Sequence, residues 1–277
     1  MKWRQWLIGR WTWWRPLASL ASIYILLGLV AVFFADRVIF QPPPPSYPAD
    51  EPGLIRFRMP DGGQISAFHL PADKGAPTLL YTHGNAEDIG HSMALFLRWN
   101  EMGIGVLAYD FPGYGHSTGR ATEKTTHQAI RAAWQYLLAQ GVPRDSVVIV
   151  GRSVGSGPST RLAADVQPAG LVLISPFTSA FEVAFPVKLF PGDRFRNIDL
   201  VGGIANPLLI IHGRHDEVIP FSHGQKIFET SAAMHKSLLV IEDAGHNDLF
   251  AINGEQIIES VAAFARQVAA GGVSADL

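Results

Sequence analysis

The chain has 277 residues, no cysteine, a formal net charge of −2 and 48% hydrophobic residues. That length suffices for one domain with a sizeable core. The near-neutral charge argues against nucleic acid as a partner, and the missing thiol excludes disulfides, zinc–thiolate sites, a cysteine nucleophile and any lipid carried on cysteine.

Leu17 to Ala35 runs 19 residues without a charge. As a helix it would reach roughly 28 Å, close to the hydrocarbon thickness of a bilayer. Lys2, Arg4, Arg10 and Arg15 precede it, and only Asp36 and Arg37 follow closely. The positive-inside rule then predicts a single-pass membrane protein with a cytoplasmic N-terminus and the rest of the chain on the outer side. Trp3, Trp6, Trp11, Trp13 and Trp14 crowd the cytoplasmic flank and read as an interfacial belt. A cleaved signal peptide fits less well, because the run is long and "FFADRV" is a poor cleavage site. A core helix fits least.

Six prolines in residues 41–53 favour an extended, semi-rigid spacer. The expected organisation is a basic, Trp-rich N-terminus over 1–16, an anchor over 17–35 and a linker over 36–53. A folded domain follows over 54–270, with a tail over 271–277.

Two alternating runs around Asp61-Gly62-Gly63 predict a hairpin. Apolar runs of strand length then recur at Thr78–Thr82, Ile104–Tyr109, Val147–Val150, Leu171–Ile174, Leu208–Ile211 and Leu238–Ile241. They are rich in Val, Ile and Leu, as in strands buried on both faces. Helical patterns lie between most of them, at Ile89–Asn100, Thr122–Ala139, Val154–Asp165, Ser222–Thr230 and Glu255–Ala269. The alternation predicts an α/β domain, a mostly parallel sheet flanked by helices. Residues 176–206 break the rhythm and read as a short cap over the strand ends, where open α/β sheets place ligands.

The pattern G-x-S-x-G occurs twice, around Ser117 and around Ser153. A nucleophile elbow needs a strand running in and a helix running out. "SVVIV" before Ser153 and "VGSGPSTRLAADV" after it meet both needs, with Pro158 predicting an adjusted first turn. Turn chemistry surrounds Ser117, which reads as part of a glycine-rich loop.

A serine hydroxyl needs a histidine to take its proton and a carboxylate to orient that histidine, in the chain order Ser, acid, His. Asp216 follows the Leu208–Ile211 run and His246 follows the last strand. Glu217 and Asp248 are rival acids, the first expected to point elsewhere and the second too near His246 in sequence. His212 and His215 form at most half of a metal site, so no metal and no cofactor is expected. The oxyanion hole needs two backbone N–H groups. Val154 follows the nucleophile, and Asn85 lies in the "HGN" turn after Thr78–Thr82. Phe177, Phe181 and Phe185, with Phe190 and Phe195, would either wall an acyl-chain site or glue the cap to the body.

The segments "YTHGNAEDIG", "YDFPGYGHSTG", "GRSVGSGP", "LISPFTSAFEVAFP", "LLIIHGRHDEVIPFSHG" and "AGHNDL" together resemble the α/β-hydrolase superfamily. More narrowly they resemble the membrane-associated branch that includes the α/β-hydrolase-domain-containing 13 and 17 proteins. The resemblance runs over about 54–270 and implies Ser153, Asp216 and His246 as the triad. The domain 17 proteins are depalmitoylases attached through N-terminal cysteines; this chain has a hydrophobic span instead. The expected activity is hydrolysis of acyl esters or thioesters from a lipid-like substrate. A peptidase of the same fold and a non-catalytic, membrane-tethered binding module are the alternatives.

Overall fold

A computed structural model describes residues 13–185 and 190–271. The expectations for Trp3, Trp6, Trp11 and the basic residues at 2, 4 and 10, and for the tail beyond Gly271, lie outside the described residues.

Helix α1 spans Arg15–Ile39. It starts at a proline-compatible position and is long and apolar enough, by length and composition, to cross a membrane. Its far end is not free. Asp36 and the Val32 carbonyl both receive the Arg194 guanidinium, at 3.3 and 2.9 Å.

The hairpin pairs β1 (Leu54–Arg58) with β2 (Gln64–Leu70) in antiparallel register. The remaining strands are β3 (Thr78–Thr82), β4 (Gly105–Tyr109), β5 (Val147–Arg152), β6 (Gly170–Ile174), β7 (Leu208–Gly213) and β8 (Lys236–Ile241). They form one sheet in the order β1-β2-β4-β3-β5-β6-β7-β8. From β4 through β8 every pairing is parallel.

Helices cover both faces. On one side lie α2 (Met93–Glu101) and α8 (Leu249–Ala269); on the other lie α3 (Glu123–Ala139), α4 (Ser156–Val166) and α7 (Phe221–Thr230). Strand alternation divides the core accordingly. Leu79 and Tyr81 pack toward Phe96, Trp99 and Ile257, while Leu80 faces the layer of Ile130, Trp134 and Leu162. Both faces of the central strands are therefore apolar, which is why the sequence shows continuous runs there.

Differences from expectation are local. The segment expected as one helix over 89–100 opens with a 3-10 turn, Ile89–Ser92, capped by Asp88. Helix α8 begins at Leu249 rather than near Glu255, and Asn253 departs from helical geometry within it. Pro158 falls in the first turn of α4, where backbone N–H groups lack helical acceptors anyway, behind a 3-10 turn over Ser153–Gly155. Two short helices, α5 (Ala180–Ala184) and α6 (Asn197–Val201), lie in the 176–206 insertion.

The proline-rich segment runs without regular structure over 41–45 and through bends and turns over 46–53, and it is bonded to the domain at Gln41, Ser46 and Tyr47. Phe40 and Tyr47 are buried. The Ser46 N–H and hydroxyl both donate to Asp88, the Tyr47 hydroxyl donates to Asp110, and the Gln41 N–H donates to Asn85. Buried residues thus occur well before Leu54, at Ala35, Phe40 and Tyr47.

Candidate active site

Ser153 stands at the end of β5 with φ +51°. This left-handed conformation costs a non-glycine residue about 1–2 kcal/mol, and it persists only where packing over-determines it. The surrounding glycines supply that packing. A Cβ on Gly155 would lie 2.4 Å from the Thr82 carbonyl oxygen and 2.6 Å from that of His83. One on Gly151 would lie 2.6 Å from the Gly155 oxygen. Only bare backbone lets the turn sit this close to β3.

Two loops bring the partners in. Asp216 follows β7 and His246 lies between β8 and α8. The Asp216 carboxylate can only accept, so His246 Nδ1–H donates to Oδ2 at 2.7 Å. That leaves Nε2 bare to receive the Ser153 hydroxyl at 3.0 Å. All three side chains are buried. Burial works to raise the Asp216 carboxyl pKa. Bonds from His212, His246 and the Ile219 N–H outweigh it and hold the group well below the usual carboxylate range. The Asp216 carboxylate therefore stays charged beside the His246 ring.

The rival acids serve the same loop in other ways. Glu217 accepts the His246 N–H at 3.2 Å, and Asp248 accepts the Gly245 N–H at 2.7 Å. His212, which the sequence offers only as half of a metal pair, is a further contributor. Fully buried, it donates from Nε2 to the Ile219 carbonyl at 2.9 Å and approaches Asp216 Oδ2 at 3.3 Å. With Asp216 Oδ1 accepting the Val218 and Ile219 N–H groups, the carboxylate is held from several sides. Among the described residues no group of three or more His, Cys, Asp or Glu is placed to hold a metal ion.

The "HGN" turn abuts the elbow: a Cβ on Gly84 would come 3.4 Å from that of Ser153. His83 donates from Nδ1 to the Gly84 carbonyl at 2.7 Å and accepts the Phe111 N–H at Nε2, 3.1 Å. Burial pushes its pKa down, which keeps the ring neutral and able to do both. Glu87 accepts the Gly84 N–H at 2.6 Å and pairs with Arg152 at 2.8 Å. This ion pair ties the turn directly to the elbow. The signal for it was present in sequence: an arginine inside the pentapeptide and a glutamate three residues past Gly84. The N–H of Val154, in the first turn after Ser153, has no helical acceptor.

Ser117 is spent elsewhere. Its hydroxyl accepts the Ser66 N–H at 2.9 Å and donates to the Asp110 carbonyl at 3.1 Å, stapling a loop to β2. In the insertion, Phe177 and Phe195 are core residues in edge-to-face contact at 6.4 Å. Phe181 is half-buried, and Phe185 is 47% exposed. The phenylalanines therefore do not present one common surface. Phe177 packs cap to body, while Phe181 and Phe185 remain accessible.

The sheet order, the strained serine turn and the loops after β7 and β8 define an α/β-hydrolase. Comparison with known proteins agrees. A family model described as Hydrolase_4, serine aminopeptidase S33, matches residues 74–190. The α/β hydrolase domain-containing protein 17B of Homo sapiens is 36% identical over 246 residues, covering 78% of this chain and 85% of the relative. The 17B protein of Xenopus laevis is 41% identical over the same length and shares. Among solved structures, an esterase of Pyrococcus furiosus superposes with a TM-score of 0.68 at 20% identity, over 82% of this chain and 99% of that one. A monoacylglycerol lipase of Paleococcus ferrophilus gives 0.61 at 18% identity, over 74% and 99%. At such identities these two report the fold alone. The chain belongs to the α/β-hydrolase superfamily and, within it, to the family of α/β-hydrolase-domain-containing proteins.

Proposed function

We propose that this chain is a membrane-anchored serine hydrolase that cleaves acyl esters or thioesters. The observation that carries the reading is the relay Ser153–His246–Asp216, with contacts of 3.0 and 2.7 Å on a turn strained to φ +51°.

In this reading the Ser153 oxygen attacks the acyl carbonyl as its proton passes to His246 Nε2. Asp216 steadies the imidazolium, and the N–H groups of Asn85 and Val154 receive the oxyanion; one such donor typically contributes about 3 kcal/mol. His246 then protonates the leaving alcohol or thiol, and an acyl ester remains on Ser153. Water attacks that ester with His246 as base, releasing the acid and restoring the serine.

The anchor supports a lipid-like substrate, because confinement to one surface raises effective concentration. In the proposed topology residues 1–16 are cytoplasmic, 17–35 span the bilayer, and the domain works on the outer side. Phe181 and Phe185 are the candidate contacts for an acyl chain, with Phe177 behind them.

The test is fluorophosphonate labelling of wild type and Ser153→Ala, followed by a panel of acyl esters, acyl thioesters and peptide amides. Wild-type labelling that vanishes in Ser153→Ala, with turnover of esters or thioesters, is the expected result. Labelling that survives the substitution ends the assignment of the nucleophile. No labelling of wild type favours a binding module. The name of the matching family model, a serine aminopeptidase, favours peptide cleavage as the second reading; turnover confined to amides would select it.

A further inference from the structure

Asn85 is held by its side chain, and the holding groups lie outside the triad. Its Oδ1 accepts the Tyr114 hydroxyl at 2.7 Å and the Gln41 N–H at 3.0 Å. Gln41 is two residues beyond the end of α1. The segment leaving the apolar helix therefore bonds directly to the turn beside the serine.

The turn needs such support. Ala86, the next residue, has φ +55°, a conformation that a β-carbon disfavours and that neighbours must enforce. Glu87 secures one side through the Gly84 N–H. The segment 40–47 secures the other at several points. Phe40 packs edge-to-face on Phe111 and Tyr114 at 5.9 and 6.5 Å. Ser46 is bonded to Asp88, and Tyr47 to Asp110, whose second oxygen accepts the Ile89 N–H at 2.9 Å. Both ends of the segment thus fasten the one loop that carries Asn85. Pro42 to Pro45 lie between, with φ locked by their rings.

We infer that Tyr114 and the backbone of Gln41 are positioning elements of the oxyanion hole, aiming the Asn85 N–H through its side chain. The inference rests on the reading of that N–H as an oxyanion donor. Such a donor is effective only when its direction is set before charge develops. The segment joining helix to domain is then part of the catalytic apparatus.

Two variants remove the bonds one at a time. Tyr114→Phe deletes a hydroxyl and keeps the ring. Gln41→Pro deletes the N–H, and Phe40 at φ −101°, ψ 118° already has the extended backbone that precedes a proline comfortably. In the full-length protein each is expected to lower kcat on a p-nitrophenyl acyl ester at least fivefold. KM should change less than twofold, and the melting temperature by no more than a few degrees. Asn85→Ala keeps the backbone donor but loses the shared acceptor. Adding Tyr114→Phe to it should cost nothing further in kcat, because both changes break one bond. Wild-type kcat in both Tyr114→Phe and Gln41→Pro overturns the inference, as do losses that multiply in the double variant. Those outcomes leave fluorophosphonate labelling of Ser153 intact; failure of the nucleophile assignment would show in that labelling.

Discussion

Gly115–Gly119 and Gly151–Gly155 share one five-residue pattern, and their surroundings give them opposite employment. Around Ser153 the glycines exist for close approach: the chain turns where β3 leaves no space for a side chain. The serine is forced to φ +51° and its hydroxyl points at an imidazole. Around Ser117 both glycines have positive φ, +48° at Gly115 and +90° at Gly119; Gly115 is also crowded, by the Asp110 and Tyr47 side chains rather than by a strand backbone, while Gly119 is open. There the serine itself is unstrained, with its hydroxyl buried between Ser66 and Asp110. The elements entering and leaving the turn set the serine's conformation and partners, which a short pattern does not encode.

Swapping the serines for alanine should separate the two most sharply. Ser153→Ala is expected to lower kcat on an acyl ester by about 10⁴-fold or more. Ser117→Ala should keep kcat within about twofold yet lose about 1–3 kcal/mol in urea unfolding, since a buried Ser66 N–H loses its acceptor. Equal activity losses would erase the distinction.

The glycines provide the next contrast. Gly155→Ala drives a Cβ into two carbonyl oxygens and should cost about 3 kcal/mol or more. At Gly119 the added carbon meets only Pro112, at 3.7 Å, so Gly119→Ala should cost about 1 kcal/mol of backbone strain. Urea midpoints that coincide would show that close approach does not govern the elbow.

The last effect is a slope. Burial pushes the Asp110 carboxyl up to about 7, against the lowering bond from Tyr47; Asp88, His83 and His91 are its other titratable neighbours. Its folded value lies above its unfolded one, so folding favours the protonated form. That contribution is full below about pH 4 and disappears as pH rises to about 7. Asp110→Asn should flatten the fall in stability across that window, measured by urea unfolding at a series of pH values. An unchanged slope would place the titration elsewhere.

The layout of the sheet could be read directly because its central strands are buried on both faces and so appear as unbroken Val, Ile and Leu runs. Asp216 and His246 were legible for a related reason: each follows a strand that the pattern marks. His212 was not, since a histidine ending an apolar run carries no sign that Ile219 and Asp216 will meet its ring. The proline segment was legible as backbone without helix, but its turns over 46–53 and its docking were hidden. The bonds that make it part of the domain join residues far apart in sequence, Gln41 to Asn85 and Tyr47 to Asp110, and nothing local announces them. The phenylalanines of the insertion looked alike in sequence; only packing separates buried Phe177 from exposed Phe185.

The fastened segment has one more consequence. Thirteen free residues, 41 to 53, in polyproline geometry would give a leash of roughly 40 Å. Tied down at Gln41, Ser46 and Tyr47, they give almost no slack. On the proposed reading, with α1 in a bilayer, the serine would keep a set height above the lipid and act like a ruler. It would then cut bonds displayed at that level and miss those carried far out on a tall partner.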